Sequence, residues 1–243
     1  MLGKLKFKHD SEVKHLSVTR ISLAIVVFSF VVYMIPGMWG APLKSLSGYM
    51  PPMQTHDFDM QRIIREAVQN SSSESKDSSA SLCSEPKFED VLPSLPHGLT
   101  GYHDFDQALQ CAKEQNKPLF VDFTGAACQN CRKMEENVWS DPRVLERLKN
   151  NFVMVALYTD DRTDLPESDW VTSKVDGKVK KTIGKKFSDL QVARYNINAQ
   201  PYYVILDNEG KDLVTPRGCN LSVDEYVKFL DDAVKEFKAR QGK

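Results

Sequence analysis

The chain has 243 residues, a formal net charge of −1 and 41% hydrophobic residues, enough for one sizeable domain with accessory segments. Balanced charge gives no electrostatic basis for nucleic-acid binding. Five cysteines, Cys83, Cys111, Cys128, Cys131 and Cys219, are too few and too scattered for a disulfide-stapled scaffold, and read as one functional pair plus three singletons.

Residues 1–20 form a basic leader, with Lys4, Lys6, Lys8, Lys14 and Arg20 against Asp10 and Glu12. Residues 21–43 carry no charge, and Ile21 to Ile35 is almost wholly apolar. That run is about the ~20 residues a membrane-crossing helix needs, with Tyr33, Pro36, Gly37 and Trp39 towards its far end. The positive-inside rule keeps the leader in the cytoplasm and exports the rest, which predicts a single-pass protein of the inner (cytoplasmic) membrane with a periplasmic C-terminal domain. A cleaved signal peptide is the alternative, against which stand the long leader and the poor cleavage site Trp39-Gly40-Ala41.

Residues 44–94 read as an exported linker. Asp57 to Gln69 is patterned as a short amphipathic helix, with Ile63, Ile64 and Ala67 on one side. The serine-rich stretch 70–81 cannot bury a core and reads as a flexible tether. Cys83 at its end reads as an incidental exposed thiol.

The globular pattern occupies residues 95–243. Asp104 is placed to cap a helix running to Asn116, with Phe105, Ala108, Leu109 and Ala112 on one face and Cys111 as a small buried hydrophobe. Pro118 to Phe123 is a buried strand, and a helix carrying Cys128 and Cys131 runs to about Val138. Asp141-Pro142 starts another helix, and Phe152 to Tyr158 is a second strand. Residues 160–186, polar and rich in Lys and Asp, read as a surface excursion. Ser188 opens a helix to Tyr195. Tyr202–Leu206 and Lys211–Val214 make a hairpin around Asp207-Asn208-Glu209-Gly210, after which Cys219 falls in a turn-like segment. Ser222-Val223-Asp224-Glu225 has capping-box spacing for the last helix. This order predicts an α/β fold, a mixed sheet flanked by helices.

Cys128-Gln129-Asn130-Cys131 carries the chemistry. The pair sits where a buried strand passes through Thr124-Gly125 into a helix N-terminus. Unsatisfied backbone N–H groups and the helix dipole stabilise a thiolate there, and a lowered pKa makes a cysteine nucleophilic near neutrality. Two intervening residues let the second sulfur close a disulfide after the first has attacked. Glu135 and Glu136, about one turn on, are near enough to modulate thiol acidity but read foremost as a solvated helix face. The pair supplies only half of a tetrahedral zinc site, and His97 and His103 lack ligand spacing, so no metal is expected.

The order of elements, Asp122 six residues before Cys128, and Gln200-Pro201 ahead of the hairpin resemble the thioredoxin fold. The resemblance implies that Cys128 and Cys131 are the redox pair, that Asp122 is a buried carboxylate, serving proton transfer with Cys131 or else a hydrogen-bonded structural group, and that Pro201 is a cis-proline which, with Gln200, receives a substrate's backbone. Phe123-Thr124-Gly125-Ala126-Ala127-Cys128, the stretch 133–142 and Asn198-Ala199-Gln200-Pro201-Tyr202-Tyr203-Val204 resemble the exported C-terminal domain of the thiol:disulfide interchange protein DsbD family. The apolar run ending Ile35-Pro36-Gly37-Met38-Trp39-Gly40-Ala41-Pro42 resembles the family's last transmembrane helix. Full members carry several membrane helices with a relaying cysteine pair; here there is one such helix without a cysteine, and the chain reads as a truncated form or as a piece working with a separate membrane partner. Ala127 stands where thioredoxins commonly carry tryptophan.

The resemblance implies a protein-disulfide reductase that needs no cofactor, takes electrons from a membrane-embedded donor and passes them to disulfides of exported proteins. The same residues serve an exported oxidase or isomerase running in the opposite direction, since Gln129-Asn130 does not set a potential. A redox-inactive tethered binding module is the reading from another class.

Overall fold

The computed structural model of the chain describes residues 17–39, 41, 43, 45–46, 63–64 and 82–242. The basic leader up to residue 16, the serine-rich stretch 70–81 and, apart from Ile63 and Ile64, the expected amphipathic helix 57–69 lie outside the described residues.

Helix α1 spans Val18–Met34, capped by Ser17, and tightens into a 3-10 turn over Ile35–Trp39. Val18–Met38 is long and apolar enough to cross a bilayer by length and composition. Its apolar side chains are exposed all round, Leu23 and Phe28 among them, whereas a surface helix of a globular domain keeps one polar face.

Helix α2 spans Phe105–Gln115, with Asp104 accepting the Gln107 N–H at its start and Asn116 in the left-handed region at its end. Strand β1 (Leu119–Thr124) leads to α3 (Gln129–Met134), which widens into a π turn over Glu135–Trp139. Helix α4 (Pro142–Asn151), opened by Asp141 and Pro142, leads to β2 (Val153–Tyr158). A two-residue ribbon, β3 (Val171–Thr172) against β4 (Val179–Lys180), precedes α5 (Ile183–Tyr195). Strand β5 is Tyr202–Leu206, and α6 is Val223–Gln241 with Ser222 accepting the Glu225 N–H.

The main sheet has the order β2-β1-β5. Central β1 runs parallel to β2, from Leu119 opposite Val153 to Thr124 opposite Tyr158, and antiparallel to β5, from Leu119 opposite Leu206 to Phe123 opposite Tyr202. Every residue of β1 and β2 is buried, as expected when helices cover both faces. Alternation along β1 sends Phe120 and Asp122 to one face and Val121 and Phe123 to the other. On the first face, Phe120 packs against Trp139, Phe152 and Tyr203, and the Trp139 indole donates to the Tyr226 hydroxyl at 3.0 Å. On the second, Phe123 meets Tyr195 of α5. The mixed sheet flanked by helices is the architecture expected from the strand–helix order.

Several local expectations are corrected. Helix α5 begins at Ile183, five residues before Ser188, because Thr182 caps it and Ile183 and Phe187 bury one turn apart. The excursion 160–186 therefore holds a ribbon and the first turn of a helix. The second arm of the hairpin is not a strand: it touches β5 through single bridges, Asp212 to Leu206 and Arg217 to Tyr203. Cys83 and Cys111 are joined in a disulfide, so neither is a singleton. The packed body also reaches back to Leu82, with Phe88, Leu92, Leu95 and Leu99 in or against the core.

Candidate functional site

The C-terminal end of β1 delivers the site. Past Thr124 the chain turns through Gly125, Ala126 and Ala127, and Cys128 becomes the N-cap of α3, its Sγ accepting the Cys131 N–H at 3.1 Å. Cys128 and Cys131 are joined in a disulfide with a Cα–Cα distance of 5.3 Å. Cys128 is half-buried and Cys131 is 1% exposed, so a partner approaching from solvent meets the first sulfur.

The antiparallel register carries Gln200 and Pro201, just ahead of β5, alongside the Thr124–Gly125 turn. The Gln200–Pro201 peptide bond is cis. Gln200 donates its side-chain amide to the Thr159 hydroxyl, and a Cβ placed on Gly125 would lie 2.5 Å from Gln200 Oε1. Behind the turn, Gln191 of α5 donates to the Ala199 carbonyl at 2.9 Å, holding the approach to Pro201.

Strand β1, α3 and the π turn that continues it also carry a buried group of charges. Asp122 is 4% exposed and its Oδ1 has no hydrogen-bond partner among the described residues. Burial holds its carboxyl well above the usual range, with Glu135 pushing the same way and the Arg132 guanidinium opposing. Arg132, directly after Cys131, is buried and pairs with Glu135 at 2.8 Å. Glu135 is pushed up to about 7, first by burial, against the pull of Arg132 and with Glu136 adding to the rise. The expectation that Glu135 and Glu136 form a solvated face is thus overturned: both are 7% exposed. The segment ending at Leu99 packs over this part of the helix, with His97 Nε2 donating to the Glu135 carbonyl at 2.8 Å. No local pattern reveals that cover, because it arrives from residues some 40 positions upstream in the chain.

The sequence reading also passed over Arg132 and Asp160. Asp160, two residues beyond β2, accepts the N–H groups of Ala126 and Ala127 at 3.0 and 2.9 Å. Cys219 is an exposed free thiol, directly after Gly218, where an added Cβ would lie 3.7 Å from the Pro201 carbonyl. Taken together, the geometry presents one accessible sulfur and a second, buried sulfur, with a group of buried carboxyls in the same elements.

A family model described as a thioredoxin-like domain matches residues 105–234, just over half of the chain. In sequence, the chain is 33% identical over 48 residues to the thiol:disulfide interchange protein DsbD of Campylobacter jejuni (strain RM1221), and equally to that of a second Campylobacter jejuni strain. That match covers 20% of this chain and only 8% of the length of either relative. Among solved structures, a DsbH oxidoreductase is 22% identical with a TM-score of 0.43, over 60% of this chain and 94% of its own. A thioredoxin from Thermus thermophilus is 21% identical with a TM-score of 0.42, over 58% and 92%. The reduced C-terminal domain of Neisseria meningitidis DsbD is 14% identical with a TM-score of 0.36, over 53% and 92%.

Proposed function

Because this chain belongs to the thioredoxin-like domain family, we propose that it is a membrane-anchored thiol–disulfide oxidoreductase, of the DsbD type, that passes electrons from a membrane-embedded donor to disulfides of exported proteins. The observation that carries this reading is the Cys128–Cys131 disulfide at a helix N-terminus, half-exposed at its first sulfur and buried at its second.

In the reduced protein the Cys128 thiolate attacks one sulfur of the substrate disulfide. A Cys128–substrate bond forms, the substrate S–S bond breaks, and the released thiolate takes a proton. Cys131 then gives up its proton, with Asp122 as the acceptor below it, and attacks Cys128 Sγ. The mixed disulfide breaks, the second substrate thiol leaves protonated, and the domain is left with Cys128–Cys131. Two electrons and two protons pass to the substrate. Pro201 and Gln200, beside the turn, receive the extended substrate backbone.

The Cys83–Cys111 disulfide favours an exported location for the domain, because disulfides outside a redox motif persist chiefly in oxidising compartments. Helix α1 supplies the anchor in this reading, spanning the inner membrane once with the domain in the periplasm.

Mixed-disulfide trapping tests the chemistry. Cys131→Ser is expected to accumulate covalent partners through Cys128 under export conditions, and Cys128→Ser/Cys131→Ser to accumulate none. An absence of trapped partners in Cys131→Ser would remove the exchange reading and leave the binding module.

A further inference from the structure

The loop that delivers the nucleophile is clamped from two sides by residues distant in sequence. Thr159 donates its backbone N–H to the Thr124 carbonyl at 2.9 Å, and its hydroxyl lies 3.3 Å from the same oxygen. Asp160 beside it accepts the amides of Ala126 and Ala127 with separate carboxylate oxygens, at 3.0 and 2.9 Å. Gln200 closes the other side through its bond to Thr159. A Cβ on Gly125 would stand 2.7 Å from Asp160 Oδ2 and 2.5 Å from Gln200 Oε1, so the glycine leaves room for both side chains against the loop. Cys128 follows at once, its own N–H donating to the Gly125 carbonyl at 3.3 Å.

We propose that Asp160 is a positioning residue for the Cys128 thiol: its carboxylate fixes the loop that presents the sulfur, occupies two amides that precede it, and biases the dithiol towards giving electrons. The inference rests on the exchange reading above and adds a cause for its direction. Backbone N–H groups near a helix start stabilise an anion placed against them. Here the amides of Ala126 and Ala127 already hold a carboxylate, and a fixed negative charge close by disfavours a thiolate. A dithiol whose thiolate is less stabilised is the better reductant, because stabilising the reduced form is what makes a strong oxidant. The buried ionisable groups of this cluster, Asp122, Arg132, Glu135, Glu136 and Tyr158, and the neighbouring His97 and Lys133 are all kept in the variants below.

The test uses the full chain in detergent micelles with Cys219→Ser as the common background. Two readouts are taken: the equilibrium of the Cys128–Cys131 couple with glutathione, and titration of the Cys128 thiolate by its ultraviolet absorbance. Asp160→Asn is expected to move the equilibrium about tenfold towards the reduced protein, equivalent to ~30 mV, and to lower the pH at which Cys128 ionises. Asp160→Ser, a second neutral variant, is expected to shift the same way, and Asp160→Glu to restore both parental values. A reversible couple that is unshifted in both neutral variants would overturn this role while leaving the exchange reading intact. A parent chain with no reversible couple would overturn the exchange reading and this role with it.

Discussion

Arg132 pairs with the buried Glu135 carboxylate, which would otherwise be left without a cation. Removing one partner of a buried ion pair leaves the other charge uncompensated and costs roughly 3–5 kcal/mol. Arg132→Met is therefore expected to lower stability by about 3 kcal/mol in denaturant unfolding. The loss should be larger on the alkaline side of about 7 than well below it, because Glu135 can relieve the unpaired charge by taking a proton. A loss independent of pH would contradict the pairing. The parent has its own dependence. Glu135 rises from 4.5 to about 7 on folding, so between those values the folded state holds a proton the unfolded state has released. Stability is fully present below 4.5 and falls as pH climbs to about 7; a denaturant midpoint that rises across that window would refute the buried cluster. Asp122 is displaced in the same direction by burial. Asp122→Asn is thus expected to stabilise the domain above the ordinary carboxylate range while slowing release of mixed disulfides, read by calorimetry and by single-turnover exchange. A variant less stable than the parent at neutral pH would show that the carboxylate is structural only.

At the scale of elements, what was legible followed the strength of the local pattern. Strand β1, helix α2 with its Asp104 cap and helix α6 with its Ser222 cap were readable because periodicity and capping agree along each stretch. The first turn of α5 was not, because Gly184-Lys185-Lys186 reads as polar excursion until Ile183 and Phe187 are seen to bury together. Gly184 there is a test case. A helical Gly→Ala usually gains up to about 1 kcal/mol. A Cβ on Gly184 would instead meet the Asp161 carbonyl, the Asp161 nitrogen at 2.7 Å and the Thr159 carbonyl at 2.8 Å. Gly184→Ala is therefore expected to destabilise, and a stabilised variant would contradict the packing of α5 on the exit of β2. The Cys83–Cys111 disulfide was illegible for a different reason. Its partners lie 28 residues apart, one in polar linker-like sequence and one on a helix, and only the folded chain brings them together. The chain-entropy relation gives such a loop roughly 3.5 kcal/mol of stabilisation. Cys83→Ala/Cys111→Ala should lose about that much in equilibrium unfolding; an unchanged midpoint would mean that the packing of Phe88, Leu92 and Leu95 holds the segment alone.

For the whole molecule, the family fold was within reach of the sequence because its chemistry and topology coincide: the cysteine pair falls at the end of the central strand and Pro201 at the start of its antiparallel neighbour. The buried charges under the pair were not, since Arg132, Glu135 and Glu136 look like any charged helix face until the segment ending at Leu99 covers them. Nor was Asp160, which acts on Ala126 and Ala127 from 33 or more positions away. These contacts belong to one arrangement within the domain, which presents Cys128; the apolar helix α1 is its anchor in the proposed reading. In the proposed reaction Cys128 and Cys131 cycle as an electron-giving dithiol. The most direct measurement is a redox titration of the full chain in detergent, with Cys219→Ser, following the pair against dithiothreitol and glutathione. The expected result is a reversible two-electron couple near the thioredoxin value of roughly −270 mV. A couple near the roughly −120 mV of a strong oxidant would reverse the direction of electron flow, and the absence of any reversible couple would contradict the account outright.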